Sequence, residues 1–405
     1  MKTVLVSHSD SGGGAFVASY RLLIALRSGK LDVEMLVARK NTDHYFIRQP
    51  QSLFSRVTIY VATRLDKLFQ HILDPSSQRS GNWFPGPVKS LIEDSRADVI
   101  NLHWINRETV SIGQIRKFSI PVVLTIHDMW AISGCAHYIE GNEEKDDLDK
   151  RSILSKIVDR YFLYLKRRSW KSLGAVVAPS QWLTDHARSS CLFEGRPLIT
   201  IPNPIDTSVF RPMDNKACRE SFGFLGSACV LGFGAVGGGV DYRKGFDLLL
   251  ESLQLLWEMG VRDIEVAIFG QSEPQIKLDL PFPVNYVGVL IGDVSLSVFY
   301  NAIDVMLVPS RQEAFGQTAS EAQSCGKPVV AFNATGLVDV VAHKETGYLA
   351  KPYDTHDLAE GVLWVRNEER RSLLGKNARE RANKLWSYDV VANQYMDVYK
   401  AVVRS

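Results

Sequence analysis

A chain of 405 residues, 45% apolar and 23% charged, has the composition of an ordinary globular protein with room for about two domains and substantial cores. Five scattered cysteines (Cys135, Cys191, Cys218, Cys229, Cys325), without a C-x-x-C pair, argue against a disulfide framework or structural zinc and predict a reducing compartment; the short apolar opening is no signal peptide and no apolar run reaches membrane-spanning length, so a cytoplasmic protein is expected. The net charge of +2 divides into +7 over residues 1–200 (27 Lys/Arg against 20 Asp/Glu) and −5 over 201–405 (20 against 25), so the halves are expected to meet different partners, the basic one an anionic surface.

Thr3–Ser9 reads as a short buried strand, followed by Ser11-Gly12-Gly13-Gly14 and a helix over Ala15–Leu26. Glycines at a strand's carboxyl end let a ligand approach the backbone, and the helix start offers amides to an anion. A dinucleotide-binding G-x-G-x-x-G fails at Val17, where the third glycine belongs. Asp32–Ala38 is a second strand. Residues 40–90 interleave basic and aromatic side chains, and Leu53–Leu73 fits either an amphipathic helix on a membrane surface or a core-packing helix with a solvated basic face. No nucleic-acid-binding module accompanies it, so nucleic acid is not an expected partner.

Ala97–Trp104 and Ile120–Asp128 read as buried parallel strands that bring His103, Trp104, His127 and Asp128 to one edge of a sheet. His127, Cys135 and His137 lack a fourth metal ligand at a usual spacing, and no metal is expected. Asp147-Leu-Asp149 is formally D-x-D, a metal-holding motif when it follows an apolar strand; here it lies in a charged stretch with no strand before it and reads as solvated loop. A helix over Ile153–Trp170 and strands over Ala175–Ser180 and Pro197–Asn203 complete the first domain, 1–205. Ile201-Pro-Asn203-Pro-Ile-Asp206 is the expected hinge, and Thr207–Ser227 a linker.

The second domain, 206–387, opens with a strand over Ala228–Ala235, a glycine-rich turn, Arg243-Lys244-Gly245 and a helix from Phe246. Strands over Ile264–Gly270 and Val284–Leu290 precede Asp304–Gly336, which reads as strand Val305–Pro309, polar loop, helix Phe315–Ser324, Gly326 turn and strand Pro328–Phe332. In such a unit ligands bind beyond the strand's carboxyl end, where the amides and dipole at the helix start face an anion. Glu313 falls in the loop and Glu321 two predicted turns into the helix, on the order of 10 Å along its axis. Carboxylates so placed suit a long ligand with an anionic middle and hydroxyl-bearing sugars at its ends, which describes a nucleotide diphosphate sugar. A final helix over Tyr388–Val403 presents Val391, Tyr395, Val398, Tyr399 and Val402 on one broad apolar face.

The run Glu313-Ala-Phe-Gly-Gln-Thr-Ala-Ser-Glu321, with Ala322 and Gly326-Lys-Pro-Val-Val330 after it, resembles the E-x7-E signature of family-4 retaining glycosyltransferases. The resemblance covers nearly the whole chain and implies an α/β fold of GT-B type: two facing Rossmann-like domains, with residues 388–405 crossing back to the first. It implies that Glu321 binds ribose hydroxyls, that the amides of Ala314, Phe315, Gly316, Gln317 and Thr318 serve phosphate and sugar, and that Glu313 holds the transferred sugar. Many relatives have an Arg where this chain has Ala235; Lys244 matches the family lysine, and the adjacent Arg243 is the expected replacement cation for the donor diphosphate. His127, in a segment similar to that of bacterial polysaccharide enzymes, is implied to contact the sugar, with Gly12, Gly13, Gly14, His103 and Asn203 on the acceptor side. Pro204 departs from the usual glycine of I-P-N-G and restricts the turn. The implied co-substrates are a nucleotide sugar donor and a saccharide acceptor, with a lipid diphosphate as its favoured carrier and peripheral contact with the inner membrane surface. No cofactor or metal is implied. A sugar-nucleotide epimerase, a phosphorylase and a non-catalytic sugar-nucleotide-binding protein share the same donor half and stand as alternatives.

Overall fold

The computed structural model describes residues 1–73, 78–138, 152–224, 226–234, 239, 241–274 and 280–404; Ala235, Asp147 and Asp149 lie outside them. The chain divides into two compact units, Met1–Pro202 with Val391–Ser405, and Asn203–Val390.

The first unit is built on seven strands: β1 (Lys2–Ser9), β2 (Asp32–Arg39), β3 (Ile47–Arg48), β4 (Val99–Leu102), β5 (Val122–Thr125), β6 (Ala175–Ala178) and β7 (Leu198–Thr200). All pair in parallel, in the order β3-β2-β1-β4-β5-β6-β7. Val4, Leu5, Val6, Ile100, Leu102 and Val123 are wholly buried, as strands covered on both faces must be. The order reverses between β1 and β4. In an open parallel sheet that reversal leaves a crevice at the carboxyl ends of the two strands, where ligands bind.

The last helix, Tyr388–Arg404, buries Val391, Tyr395, Val398, Tyr399 and Val402, and Val391–Ser405 belongs to the first unit. What fixes it there is a buried polar network. Asn101 of β4 donates from Nδ2 to the Tyr399 hydroxyl at 2.7 Å, and the Thr125 hydroxyl donates to Asn101 Oδ1 at 2.9 Å. Tyr399→Phe leaves the buried Asn101 amide without its acceptor, and a loss of about 1–3 kcal/mol of first-unit stability is expected in urea titrations. A change within about 0.3 kcal/mol would mean the network does not hold the helix.

The second unit carries β8 (Cys229–Gly234), β9 (Ile264–Phe269), β10 (Val284–Gly288), β11 (Val305–Val308), β12 (Val329–Phe332) and β13 (Gly347–Ala350). They too are all parallel, in the order β10-β9-β8-β11-β12-β13, with the reversal between β8 and β11. Both units are therefore Rossmann-like α/β sheets.

Two sequence expectations need correction here. Residues 207–227 are not a plain linker: Asn215–Phe222 is a helix of the second unit, capped by the Asp214 carboxylate on the Ala217 amide and ended by Gly223 in the left-handed region. Asn203, read as part of the first domain, is the first residue of the second unit. A further helix, Glu368–Trp386, was not foreseen; its buried face is carried mainly by small residues, Gly375, Ala378 and Ala382, which give a weak apolar signal.

Candidate functional site

The polar residues gather at the two strand-order reversals. In the second unit the loops after β8 and β11 straddle the reversal, and they bring Lys244 and Glu313 together. Lys244 Nζ lies 2.6 Å from Glu313 Oε1, both side chains largely but not wholly buried. Lys244 ends a short 3-10 turn, Tyr242–Lys244, closed by Gly245 at φ +65°. A Cβ at Gly245 would stand 1.9 Å from the Pro309 carbonyl oxygen, so only glycine lets this turn seat against the end of β11.

Glu313 is clamped on several sides. Its Oε1 accepts from the Ser310 hydroxyl at 3.0 Å, its amide donates to Thr335 Oγ1 at 3.1 Å, and its carbonyl accepts from the Gly336 amide at 2.8 Å. None of Ser310, Thr335 and Gly336 stood out in the sequence. Their only signal was position, in loops after two neighbouring parallel strands.

The helix after this loop begins later than expected, at Gln317, and runs to Ser324. Gly316, at φ +101°, precedes it and has no side chain to cap the helix start. Phe315 is buried and packs on Trp386, ring centroids 6.0 Å apart, so it anchors the loop. Glu321 consequently sits about one turn into the helix, not two, and it is buried. The Tyr300 hydroxyl, in the helix Gly292–Ala302, donates to Glu321 Oε2 at 2.7 Å. Tyr300 thus fixes the direction of a carboxylate that the sequence left as an open acceptor.

Arg243 is engaged within its own turn. Its Nη2 lies 2.6 Å from Asp241 Oδ2 and its Nε 3.1 Å from Oδ1, a fork-on-carboxylate pair. A third cation, Arg311, lies over the Tyr242 ring at 3.8 Å and is bidentate to Asp247, whose carboxyl its guanidinium holds below the usual range. Its amide donates to the Arg243 carbonyl at 2.7 Å, tying the two loops together.

In the first unit the reversal lies between Gly12–Gly13, both at positive φ, and His103. Gly14 opens the helix Gly14–Ser28, whose start has no side-chain cap. His103 Nδ1 and His127 Nε2 are 2.9 Å apart, so one ring donates to the other. Both rings are neutral: burial pushes His127 down to about 4 against the opposing pull of Asp128, and burial and then the neighbouring His127 hold His103 well below the ordinary range. Nε2 of His103 is buried without a hydrogen-bond partner among the described residues. Asp128 acts structurally. It caps the turn Met129–Ala131 and accepts from Trp104 Nε1 at 3.0 Å, with His137 Nδ1 at 2.7 Å. His127 pairs with His103 and His137 with Asp128, and no group of three potential ligands that could hold a metal occurs among the described residues.

His127 gains its proton near pH 4 when folded and near 6.5 when unfolded, so the unfolded chain binds more protons in between. Its contribution is complete above 6.5 and is lost towards 4, at about 1.4 kcal/mol per pH unit. Glu108, buried and pushed up to about 8, acts in the opposite sense, losing stability as pH rises from 4.5. Comparing wild type with His127→Gln isolates the first effect: the variant's acid-side loss should be shallower, and parallel curves would show that this ring does not titrate as described.

Two family models match the chain, one described as Glycosyltransferase Family 4 over residues 12–209 and one as Glycosyl transferases group 1 over 236–381. The chain belongs to the family-4 glycosyltransferases. A D-inositol 3-phosphate glycosyltransferase of Saccharomonospora viridis is 32% identical to the transferase over 216 residues, 50% of this chain and 49% of that protein. The capsular polysaccharide biosynthesis glycosyltransferase CapM of Staphylococcus aureus is 27% identical over 208 residues, 50% of this chain and 54% of that protein. The matched part thus spans about half the length of these curated relatives. Sucrose-phosphate synthase from Thermosynechococcus elongatus has the same fold, with a TM-score of 0.70 at 18% identity over the whole of both chains. The fold is GT-B.

Proposed function

We propose that the transferase moves a sugar from a nucleotide diphosphate sugar to a saccharide acceptor with retention of anomeric configuration and without a metal. The observation that carries this reading is the Lys244–Glu313 pair at the strand-order reversal of the second unit, with Glu321 fixed in the helix that follows. Glu321 binds the ribose diol, and the amides of residues 314–318 receive phosphate and sugar. Donor binding parts the ion pair: the Lys244 ammonium turns to the diphosphate and the Glu313 carboxylate to the hydroxyls of the transferred sugar. A departing diphosphate needs fixed positive charge, which Lys244 supplies. Arg243 joins it by giving up one arm of its pair with Asp241. The acceptor oxygen forms its bond to the anomeric carbon as the bond to phosphate breaks, and the leaving phosphate oxygen takes the acceptor proton. The first unit receives the acceptor, with Gly12, Gly13, Gly14 and His103 lining its side, Asn203 close to the hinge, and the neutral His127 hydrogen-bonding to the sugar.

A polysaccharide precursor on a lipid diphosphate is the favoured acceptor, and the relative CapM, named for capsular polysaccharide biosynthesis, supports it. The helix Leu53–Leu73 exposes Leu53, Val57, Tyr60, Val61, Leu65 and Leu68 at helical spacing, a stripe suited to lying on the cytoplasmic face of a membrane. No helix among the described residues is long and apolar enough to cross one. The test is turnover of UDP-, GDP-, ADP- and CMP-sugars with and without a lipid-diphosphate saccharide, with the product linkage read by NMR. Transfer with retention, dependent on acceptor and indifferent to EDTA, is expected. Donor conversion without acceptor would replace the reading with epimerisation.

A further inference from the structure

A cavity of about 880 Å³ in the first unit lies apart from the His103–His127 pair, between the end of β2 and the helix Leu53–Leu73. Its lining has a marked charge bias. Arg39 and Lys40 enter from the strand end, Arg64 and Lys67 from the helix, and no Asp or Glu is among the described residues that line it. Asn41 and Tyr60 add neutral polar groups. Lys40 is engaged through Nζ with the His44 carbonyl at 2.8 Å, whereas the side chains of Arg39, Arg64 and Lys67 make no hydrogen bond or ion pair with any described residue. Arg64 only rests over the Tyr60 ring, 5.2 Å from its centroid.

Four cations converge on one concavity whose described lining holds no acid, the Asp10 carboxylate behind it being taken up by Asn41 and Thr42; they repel one another, and an anion within it relieves that repulsion. Two of them are guanidiniums, whose planar donors match phosphate oxygens in pairs. The cavity also stands at the carboxyl end of the sheet: Arg39 is in register with Ser9, the last residue of β1 and three residues before Gly12. Ligands of parallel sheets bind at this end. On the helix, Tyr60 and Arg64 line the cavity while Val57, Val61 and Leu68 are exposed beside them, so an anion held here has an apolar strip for an attached chain.

We infer that this cavity is a site for a phosphate or diphosphate group, held by Arg39, Arg64 and Lys67, and that it carries the phosphate of the acceptor. The inference rests on the reading of the first unit as the acceptor side. Inorganic pyrophosphate carries the shared chemistry, and dodecyl diphosphate adds the chain of a lipid carrier.

The experiment is calorimetric titration of the full chain with each probe, for wild type and for Arg39→Gln/Lys67→Gln and Arg64→Gln. The substituted side chains project from the surface, so folding is expected to be preserved. Wild type should bind pyrophosphate saturably, and the double variant should bind it about tenfold more weakly or worse. Tighter binding of dodecyl diphosphate than of pyrophosphate by wild type assigns the ligand to a lipid carrier; equal binding assigns it to a water-soluble phosphate ester. Absence of saturable binding, or affinities in the variants within about twofold of wild type, overturns the site. The same variants titrated with nucleotide sugar keep the two readings separate. Nucleotide binding unaffected by the cavity substitutions is expected, and its failure in every protein would reject the donor reading while the pyrophosphate result still decides this one.

Discussion

Glu313→Gln is expected to lower kcat by roughly 100- to 1,000-fold while leaving nucleotide affinity within about threefold. The substitution keeps the shape of the side chain and an acceptor for the Ser310 hydroxyl, but it removes the charge that pairs with Lys244 at 2.6 Å. In the proposed reaction that charge is held close to the transferred sugar as its anomeric carbon becomes electron-poor, and it steadies the sugar hydroxyls. Its value is therefore realised mainly in the transition state, which appears as a fall in kcat and kcat/KM together. In the same proposal the nucleotide itself contacts other groups. A rise in KM with kcat preserved would assign Glu313 to ground-state binding and contradict the role given to it.

Glu321→Ala should weaken nucleotide binding about 100-fold or more, since two charge-assisted hydrogen bonds to a ribose diol, each roughly 1.5–3 kcal/mol, disappear together. The structure adds a control that the sequence did not suggest. Tyr300 holds one carboxylate oxygen at 2.7 Å, so Tyr300→Phe keeps the charge but releases its orientation. A carboxylate has about four lone-pair positions, so the hydrogen bond from Tyr300 does not by itself fill them. Tyr300→Phe should thus weaken binding far less than Glu321→Ala, by about tenfold or under. Equal losses in the two variants would mean that Glu321 serves the packing of its helix against Tyr300 and not the ligand.

Much of this was legible in the chain itself. Continuous apolar runs such as Val4–Val6 and Val305–Val308 admit little besides a strand buried on both faces, and the glycines after them mark the loops at the strand-order reversals. Asp214 and Gly223 also bracket a helix by ordinary capping chemistry, but Asn215–Phe222 is short and polar and gives a weak helical signal between the expected hinge and a strand. What could not be read was pairing across long stretches of chain. Nothing near Glu321 announces Tyr300, 21 residues earlier, and nothing near Lys244 announces Glu313, 69 residues later; the parallel topology makes both meetings. Arg243 shows the converse. It is the expected replacement cation for the diphosphate, and the structure places its fork on Asp241, two residues before it, a partner that the sequence reading did not weigh.

The central claim is that the second unit holds a nucleotide diphosphate sugar through Glu321 and Lys244. It is tested most directly by the melting temperature of the purified protein against UDP-, GDP-, ADP- and CMP-sugars, with Glu321→Ala alongside. A rise with one nucleotide class, absent in a variant that is itself folded, is the predicted result. Folded wild-type protein whose melting temperature moves with none of them would contradict the donor site and the transfer reaction built on it.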